Sequence, residues 1–171
     1  LERLGRAGKN RKLKFQGNFT LDELLHAINA EVENQRNIYD ETYREILEEM
    51  EQRVIRVLDE KQLNEQERQF CRTYFASRVS RLLVPLMIRK NSKIPFLGDG
   101  RLYYAVKMKT YEPEGKNRYA ILEIPRNKET PRFVVLPSAG DEVRIVFIDE
   151  IIRISLKEVF FMFDYDEITA Y

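Results

Sequence analysis

The sequence predicts an α+β fold in which two long N-terminal helices precede a mostly antiparallel or mixed sheet of about five short strands with one further helix. Three observations support this prediction. Apolar residues recur every three or four positions through two segments of the first half, which is the period of an amphipathic helix. Near residue 88 the pattern changes to short apolar runs between turn-forming residues, as in strands. Helices followed by strands favour α+β over a parallel α/β sheet.

The first helix is predicted to begin after Thr20, because Thr20 and Glu23 have the spacing of a capping box. No glycine or proline interrupts residues 20–52, so the helix would be roughly 45 Å long at about 1.5 Å per residue. We expect part of its apolar stripe to dock on another domain or subunit. The stripe consists of Leu21, Leu24, Leu25, Ile28, Val32, Tyr39, Tyr43, Ile46, Leu47 and Met50.

A run of branched residues at 54–58 predicts a short strand between the two helices. Asn64 then caps the second helix, with Glu67 in the box position. Pro85 would kink or close the last turn, because proline has no backbone amide to donate. The predicted buried face of this helix is Phe70, Tyr74, Phe75, Val79, Leu82, Leu83 and Leu86.

The second half of the chain is predicted to alternate strands with turns. Residues 112–117 contain the proline, glycine and asparagine typical of a turn, so the strands on either side of it would form a hairpin. Asp149 begins the further helix, and a last strand begins near Glu167. The other strands are predicted at 102–111, 119–124, 133–136 and 143–148.

Length and composition restrict the class of protein. The 171 residues have the length of one domain, and 29 Lys and Arg nearly balance 28 Asp and Glu, which argues against a nucleic-acid binder. One cysteine fits a reducing compartment, and no apolar run approaches the roughly 20 residues of a transmembrane helix. We therefore expect a cytoplasmic protein, with peripheral membrane association left open. The leucine start and strand-like end predict a piece of a longer protein.

The residues that most often carry catalysis or metal binding are few. His26 is the one histidine, with Asp22 four residues before it and Ala30 four residues after it, which favours a structural or exposed role. Cys71 lies among aromatic residues and is expected to be buried and inert. The acids at 164–167 could bind a hard cation, but a turn into a strand explains them better. The loop Gly98–Arg101 lacks the Lys-Ser/Thr of a P-loop.

A basic loop is the more suggestive feature. Four cations in thirteen residues around Pro95 could attract a polyanion, although a solvated loop is the simpler interpretation. These cations are Arg89, Lys90, Lys93 and Arg101. A weaker set is formed by Arg126, Lys128 and Arg132, and residues 1–14 contain six cations and one acid, as in a solvated linker or a phosphate-binding arm.

Several strings resemble the bacterial long-chain polyphosphate kinases. VSRLLVPL at 79–86 and IPFL at 94–97 resemble the family's V-F-P-x-L-T-P-L and H-P-F-P-x-L. YAILEIP at 119–125 and PRFVVLP at 131–137 resemble its F-A-x-V-x-V-P and P-R-F-V-x-L-P, and FIDEIIR at 147–153 is similar to its F-x-x-L-E-D-V-I-R. Their order and spacing agree over residues 20–171. Ile94 stands where the family often has histidine.

The resemblance implies a domain plan. Residues 1–18 would be a basic linker from an upstream helical domain, and residues 19–171 the middle (head) domain, truncated in its last strand. In that family, ATP with magnesium phosphorylates a histidine in later catalytic domains, and polyphosphate is extended reversibly. His26 matches no such motif, so the resemblance implies no catalytic residue, metal or cofactor in this chain.

The resemblance also implies partners. The family's head domain takes part in dimer contacts and helps frame the polyphosphate tunnel, which would give the basic loop a polyanion to face and make the parent a homo-oligomer. The residues alone leave an alternative open, namely an independent module that binds phosphate, phosphoinositide headgroups or a partner protein.

Overall fold

The computed structural model describes residues 20–89, 95–110, 117–127, 130–137 and 140–171. Two compact units make up the chain, Leu1–Gln52 and Arg53–Tyr171. The described part of the first unit is one helix with its capping residue, and the second unit contains all seven strands of the described residues and the remaining helices.

The first helix, α1, spans Leu21–Gln52, as predicted. The backbone amide of Thr20 donates to Glu23 Oε2 at 2.8 Å, and the amide of Glu23 donates back to Thr20 Oγ1 at 3.3 Å. The hydrogen bond from the Thr20 amide, followed by that from its hydroxyl, lowers the pKa of the Glu23 carboxyl. No residue of α1 is buried, and Tyr39 stacks on Tyr43 with ring centroids 6.1 Å apart. The predicted apolar stripe is therefore exposed on this unit.

The second helix is shorter than predicted. Its α-helical part, α2, spans Glu65–Tyr74 and begins with the predicted Asn64–Glu67 capping box. A π-helical turn at Phe75–Val79 and a 3-10 turn at Ser80–Leu82 follow. Serine hydroxyls that donate to carbonyls one turn back, as Ser77 does to Thr73 and Ser80 to Ala76, compete with regular helical hydrogen bonding. The prediction of two long helices is thus only partly confirmed.

The strands and short helices of the second unit have these bounds. The strands are β1 Ile55–Leu58, β2 Leu86–Ile88, β3 Tyr103–Lys109, β4 Arg118–Glu123, β5 Phe133–Val135, β6 Val143–Phe147 and β7 Glu167–Ala170. The further helix is two short ones, α3 Ile148–Ile154 and α4 Leu156–Val159.

Two sheets replace the predicted single sheet of about five strands. One has the order β1-β6-β5, with β1 parallel to β6 and β5 antiparallel to it. The other has the order β2-β4-β3-β7 and is antiparallel throughout, and it contains the predicted β3–β4 hairpin. The single-sheet prediction was wrong because the partner of β1 lies about ninety residues further along the chain, and a local pattern does not report such pairing.

The core of the second unit lies on one face of each sheet. Along β3 the side chains alternate, with Tyr104, Val106 and Met108 buried, as the two-residue period of a strand requires. Helix α3 contributes Ile151 and Ile152, both fully buried. Further buried members are Cys71, Phe75, Val79, Ala120, Leu122, Val134, Val146, Leu156 and Phe160.

Candidate polyanion-facing site

The described part of the basic loop contacts the antiparallel sheet at Gly98. The backbone amide of Gly98 donates to Tyr103 Oη at 3.0 Å. The Arg101 side chain lies against Gly98, where an added Cβ would come within 3.1 Å of Arg101 Nε. Gly100 has a φ of +70°, a conformation that favours glycine. The two glycines therefore let the loop turn and let the guanidinium lie close over the backbone.

Arg101 is paired with an acid. Its Nη1 lies 2.8 Å from Oε1 and 3.1 Å from Oε2 of Glu123, the last residue of β4. The two side chains remain 59% and 43% exposed, so water and other anions can reach them. A polyanion that binds Arg101 would share it with Glu123 or displace Glu123, and the carboxylate lowers the positive potential at this point.

The structure does not bring Arg89 and Arg101 together. Arg89 is exposed and follows β2, whose last residue Ile88 is opposite Tyr119 on β4. Arg101 pairs with Glu123 at the other end of the same strand. The two positions are four residue steps apart along β4, about 13 Å at roughly 3.3 Å per residue. A ligand that contacts both arginines would have to extend along the sheet.

The remaining basic candidates fall in different places. Lys90 and Lys93 lie outside the described residues, as does Lys128 of the weaker set. Arg126 is exposed. Arg132 Nη1 lies 3.3 Å from Asp149 Oδ1, and its guanidinium is 5.3 Å from the ring centroid of Phe147. Arg132 is thus paired within the second unit. That the basic loop faces a polyanion stays a prediction.

The histidine and the cysteine are placed as the sequence indicated. His26 is exposed on α1. Cys71 is fully buried, and burial raises the pKa of its thiol to about 11, with the nearby Glu67 carboxylate adding to the rise and Arg68 opposing it. Because the thiolate is the reactive form, Cys71 is an inert core residue.

The acids near the C-terminal end of the chain are dispersed rather than convergent. Glu167 Oε2 lies 2.7 Å from Lys109 Nζ across the β3–β7 pair. The backbone amide of Asp166 donates to the Lys109 carbonyl, and Asp164 is exposed. In the residues that the structure describes, no group of three His, Cys, Asp or Glu is placed to hold a metal ion.

The second unit contains a groove that the sequence did not indicate. It has a volume of about 420 Å³ and lies between the π-helical turn and α4. Phe75, Leu83 and Val159 give it apolar walls, and Arg81 and Glu158 add charged groups. A π-helical turn often marks a functional position, but sequence patterns that follow the 3.6-residue period do not distinguish it from an ordinary helix.

Among the described helices, none is both long enough and apolar enough to cross a bilayer.

Comparison with known proteins gives the family. The family model described as the polyphosphate kinase middle domain matches residues 66–171. The chain belongs to this family. Polyphosphate kinase of Vibrio vulnificus strain YJ016 is 33% identical over 159 residues, which is 91% of this chain and 22% of the relative. Polyphosphate kinase of Escherichia coli strain K12 is 34% identical over 152 residues, 86% of this chain and 22% of the relative.

The family assignment extends to structure. A crystal structure of polyphosphate kinase from Porphyromonas gingivalis matches 86% of this chain and 23% of that one, with a TM-score of 0.74 and 27% identity. The chain therefore spans about a fifth of the length of the polyphosphate kinases it matches. All four residues of the basic loop fall inside the segment that the middle-domain model matches.

Proposed function

We propose that this chain works as the non-catalytic middle domain of a polyphosphate kinase, the enzyme that reversibly transfers the terminal phosphate of ATP to polyphosphate. The observation that supports this most is the match of residues 66–171 to the polyphosphate kinase middle domain. Relatives at 33–34% identity are themselves named polyphosphate kinase. This evidence favours the kinase over an independent binding module.

The chemistry of the described residues agrees with a non-catalytic role. Phosphoryl transfer depends on groups that position the phosphates and neutralise their charge, together with a nucleophile. His26 is the one histidine of the sequence and lies exposed on a helix with ten acids and two arginines, which is a poor environment for a phosphate. The Cys71 thiol is buried and held protonated. We therefore assign the phosphohistidine and the ATP site to other parts of the parent enzyme.

The paired acids Glu123 and Glu167 are a poor fit for magnesium. Magnesium prefers several oxygen ligands in octahedral geometry, whereas Glu167 is paired with Lys109 and Glu123 with Arg101. We propose that the metal that accompanies ATP in the parent binds in another part of the enzyme. We also propose that the parent is a cytoplasmic homo-oligomer, in which the middle domain supports subunit contacts.

We propose that Arg89, Lys90, Lys93 and Arg101 supply positive potential to the polyphosphate path. Polyphosphate is a long, flexible polyanion, and Arg89 and Arg101, which are both exposed and lie beside different ends of β4, attract such a ligand without a closed pocket. The 13 Å estimated between the β4 positions beside Arg89 and Arg101 suits a chain of phosphates rather than a single phosphate group.

A kinetic comparison in the parent kinase tests this assignment. The variant Arg89→Gln/Lys93→Gln/Arg101→Gln should raise the KM for polyphosphate roughly fivefold at low salt, because a single charge pair in water contributes modestly to binding, and leave the KM for ATP unchanged. The control Lys61→Gln/Lys157→Gln removes charges from other exposed positions and should change neither. An unchanged polyphosphate KM and salt dependence in the triple variant would overturn the assignment.

A further inference from the structure

Helix α1 exposes an apolar stripe along most of its length. Val32 is 56% exposed, Tyr39 68% and Ile46 50%, and none of the ten stripe residues is buried. Contiguous apolar surface of this kind marks a docking face, and an amphipathic helix typically docks by laying its apolar side in a groove.

The borders of the stripe are acidic on both sides. At about 100° per residue, which follows from 3.6 residues per turn, four acids border one side of the stripe and two border the other. Over the whole helix there are ten acids and two arginines. The bordering acids are Asp22, Glu33, Asp40 and Glu51 on one side and Glu31 and Glu49 on the other.

This charge pattern argues against a second copy of α1 as the occupant. When two helices pair through apolar stripes, the residues beside the stripes face each other and their charges select the partner. Two α1 helices would bring acids against acids, which is destabilising. A groove rimmed by Lys and Arg would instead pair with both borders of the stripe, and the apolar side chains would fill its floor.

The relatives contain both a segment aligned with α1 and a large amount of further polypeptide. The middle-domain model begins at residue 66, so α1 lies outside the part of the chain it matches. The alignment to the Vibrio vulnificus kinase nevertheless covers 91% of this chain, so it extends into α1, and the chain spans 22% of that relative. The helix is thus shared with kinases that have a great deal of further polypeptide to cover it.

We propose that α1 docks by its apolar stripe into an apolar groove rimmed with Lys and Arg, in another part of the same polyphosphate kinase polypeptide. This proposal rests on the proposed function. The surface that receives the apolar stripe of α1 is thus basic and belongs to the same polypeptide. Pairing of α1 with a second copy of α1 is excluded by the proposal.

Introduced cysteines test the docking. Cys71 is the one cysteine of the 171-residue sequence and is fully buried, so a new thiol on α1 is the reactive one in this chain, and in the parent kinase labelling is read at the introduced residue. The variant Ile46→Cys reports on the stripe, and Glu48→Cys reports on the opposite face of the same helix. The rate of labelling by an uncharged maleimide is measured in the 171-residue chain and in the parent kinase.

We expect Ile46→Cys to react at least tenfold more slowly in the parent kinase than in the 171-residue chain, and Glu48→Cys to react equally in both. Salt at 1 M should raise the Ile46→Cys rate in the parent, because it screens attraction between acids and a basic rim. Equal Ile46→Cys rates in the two proteins would overturn the proposal. So would protection that appears already in the isolated chain, rises with its concentration and strengthens with salt, which is the signature of self-pairing.

Charge reversal tests the rim separately. In the Ile46→Cys background, Glu33→Lys/Asp40→Lys should raise the labelling rate in the parent severalfold, whereas the control Glu41→Lys/Glu45→Lys away from the stripe should not. Equal rates in the two variants would overturn the basic rim. Polyphosphate synthesis is assayed on the same preparations. Synthesis without protection contradicts the docking alone, and protection without synthesis contradicts the proposed function alone.

Discussion

Arg144 on β6 reaches a buried carboxylate on α2, with Nη1 2.9 Å from Oε1 of Glu67. Glu67 is 3% exposed, and its other oxygen accepts a hydrogen bond from the backbone amide of Asn64 at 2.9 Å. The same glutamate therefore completes the capping box of α2 and ties that helix to the three-stranded sheet. Arg144 also lies 3.7 Å from Glu142, so the arginine joins a buried acid to a more exposed one.

Removal of the arginine should destabilise the second unit strongly. Arg144→Ala leaves the Glu67 carboxylate without its cation in a buried place, and we expect a loss of about 3–5 kcal/mol in the free energy of unfolding. Arg56→Ala is the matched control, since Arg56 pairs with Glu142 at 3.0 Å on the surface, and it should cost no more than about 1 kcal/mol. Urea denaturation measures both, and equal losses would contradict the structural role of the buried pair.

Val54 offers a stabilising substitution. It has a φ of +63°, which costs a β-branched residue roughly 1–2 kcal/mol, and it lies exposed just before β1. Because the Val54 carbonyl accepts from the Val143 amide at 2.8 Å, Val54→Gly keeps that bond and removes the strain. We expect a gain of about 1 kcal/mol by thermal unfolding. Val57→Gly, inside the extended strand, should destabilise the protein instead. A loss of stability in both variants would contradict backbone strain at Val54.

Glu123 should limit the polyanion affinity of Arg101. Glu123→Gln frees the guanidinium from its carboxylate partner, so we expect polyphosphate to bind the 171-residue chain roughly threefold more tightly at low salt. Glu142→Gln removes an acid that directly precedes β6 of the other sheet and is the control. Titration with labelled polyphosphate measures both dissociation constants. Unchanged affinity in Glu123→Gln would show that Arg101 does not face the polyanion.

Tyr104 should make the fold sensitive to alkaline pH. Burial raises the pKa of its hydroxyl to about 12, against partial compensation by the hydrogen bond from Arg153. The folded protein keeps this proton at pH values where the unfolded chain, with a tyrosine pKa near 10, releases it. The contribution of Tyr104 to the free energy of unfolding is thus fully present below pH 10 and is lost as the pH rises through about 12. Buried Cys71 acts in the same direction.

The tyrosine contribution can be isolated by substitution. Tyr104→Phe should flatten the decline of unfolding free energy between pH 10 and 11.5 relative to the unsubstituted protein. Tyr119→Phe, at a position 45% exposed, should leave the decline as it was. Guanidinium denaturation at each pH gives the curves, and parallel curves for the Tyr104 variant and the unsubstituted protein would rule out the assignment.

Local signals predicted the elements well. Both capping boxes, at Thr20 and Asn64, form as the sequence indicated, because a capping box is a contact between residues three apart. The β3–β4 hairpin and the strand near Glu167 also form as predicted. The burial of Cys71 followed from its aromatic neighbours.

Long-range geometry was not accessible in the same way. Strand β2 has three residues and follows Pro85, so it showed no alternation long enough to detect. The parallel β1–β6 pair and the division into two sheets depend on partners far apart in the chain. For the candidate site, nearness in sequence suggested one cluster, whereas the register of β4 separates Arg89 from Arg101, and Glu123 engages Arg101 from 22 residues away.

The proposed function assigns catalysis to the rest of a polyphosphate kinase and a non-catalytic role to this chain. The most direct measurement is polyphosphate formation from ATP and magnesium by the parent kinase and by the 171-residue chain at equal concentration. We expect the parent to form polyphosphate and the chain alone to form none while still folded by circular dichroism. Polyphosphate formed by the isolated chain, or a folded parent that forms none, would contradict the assignment.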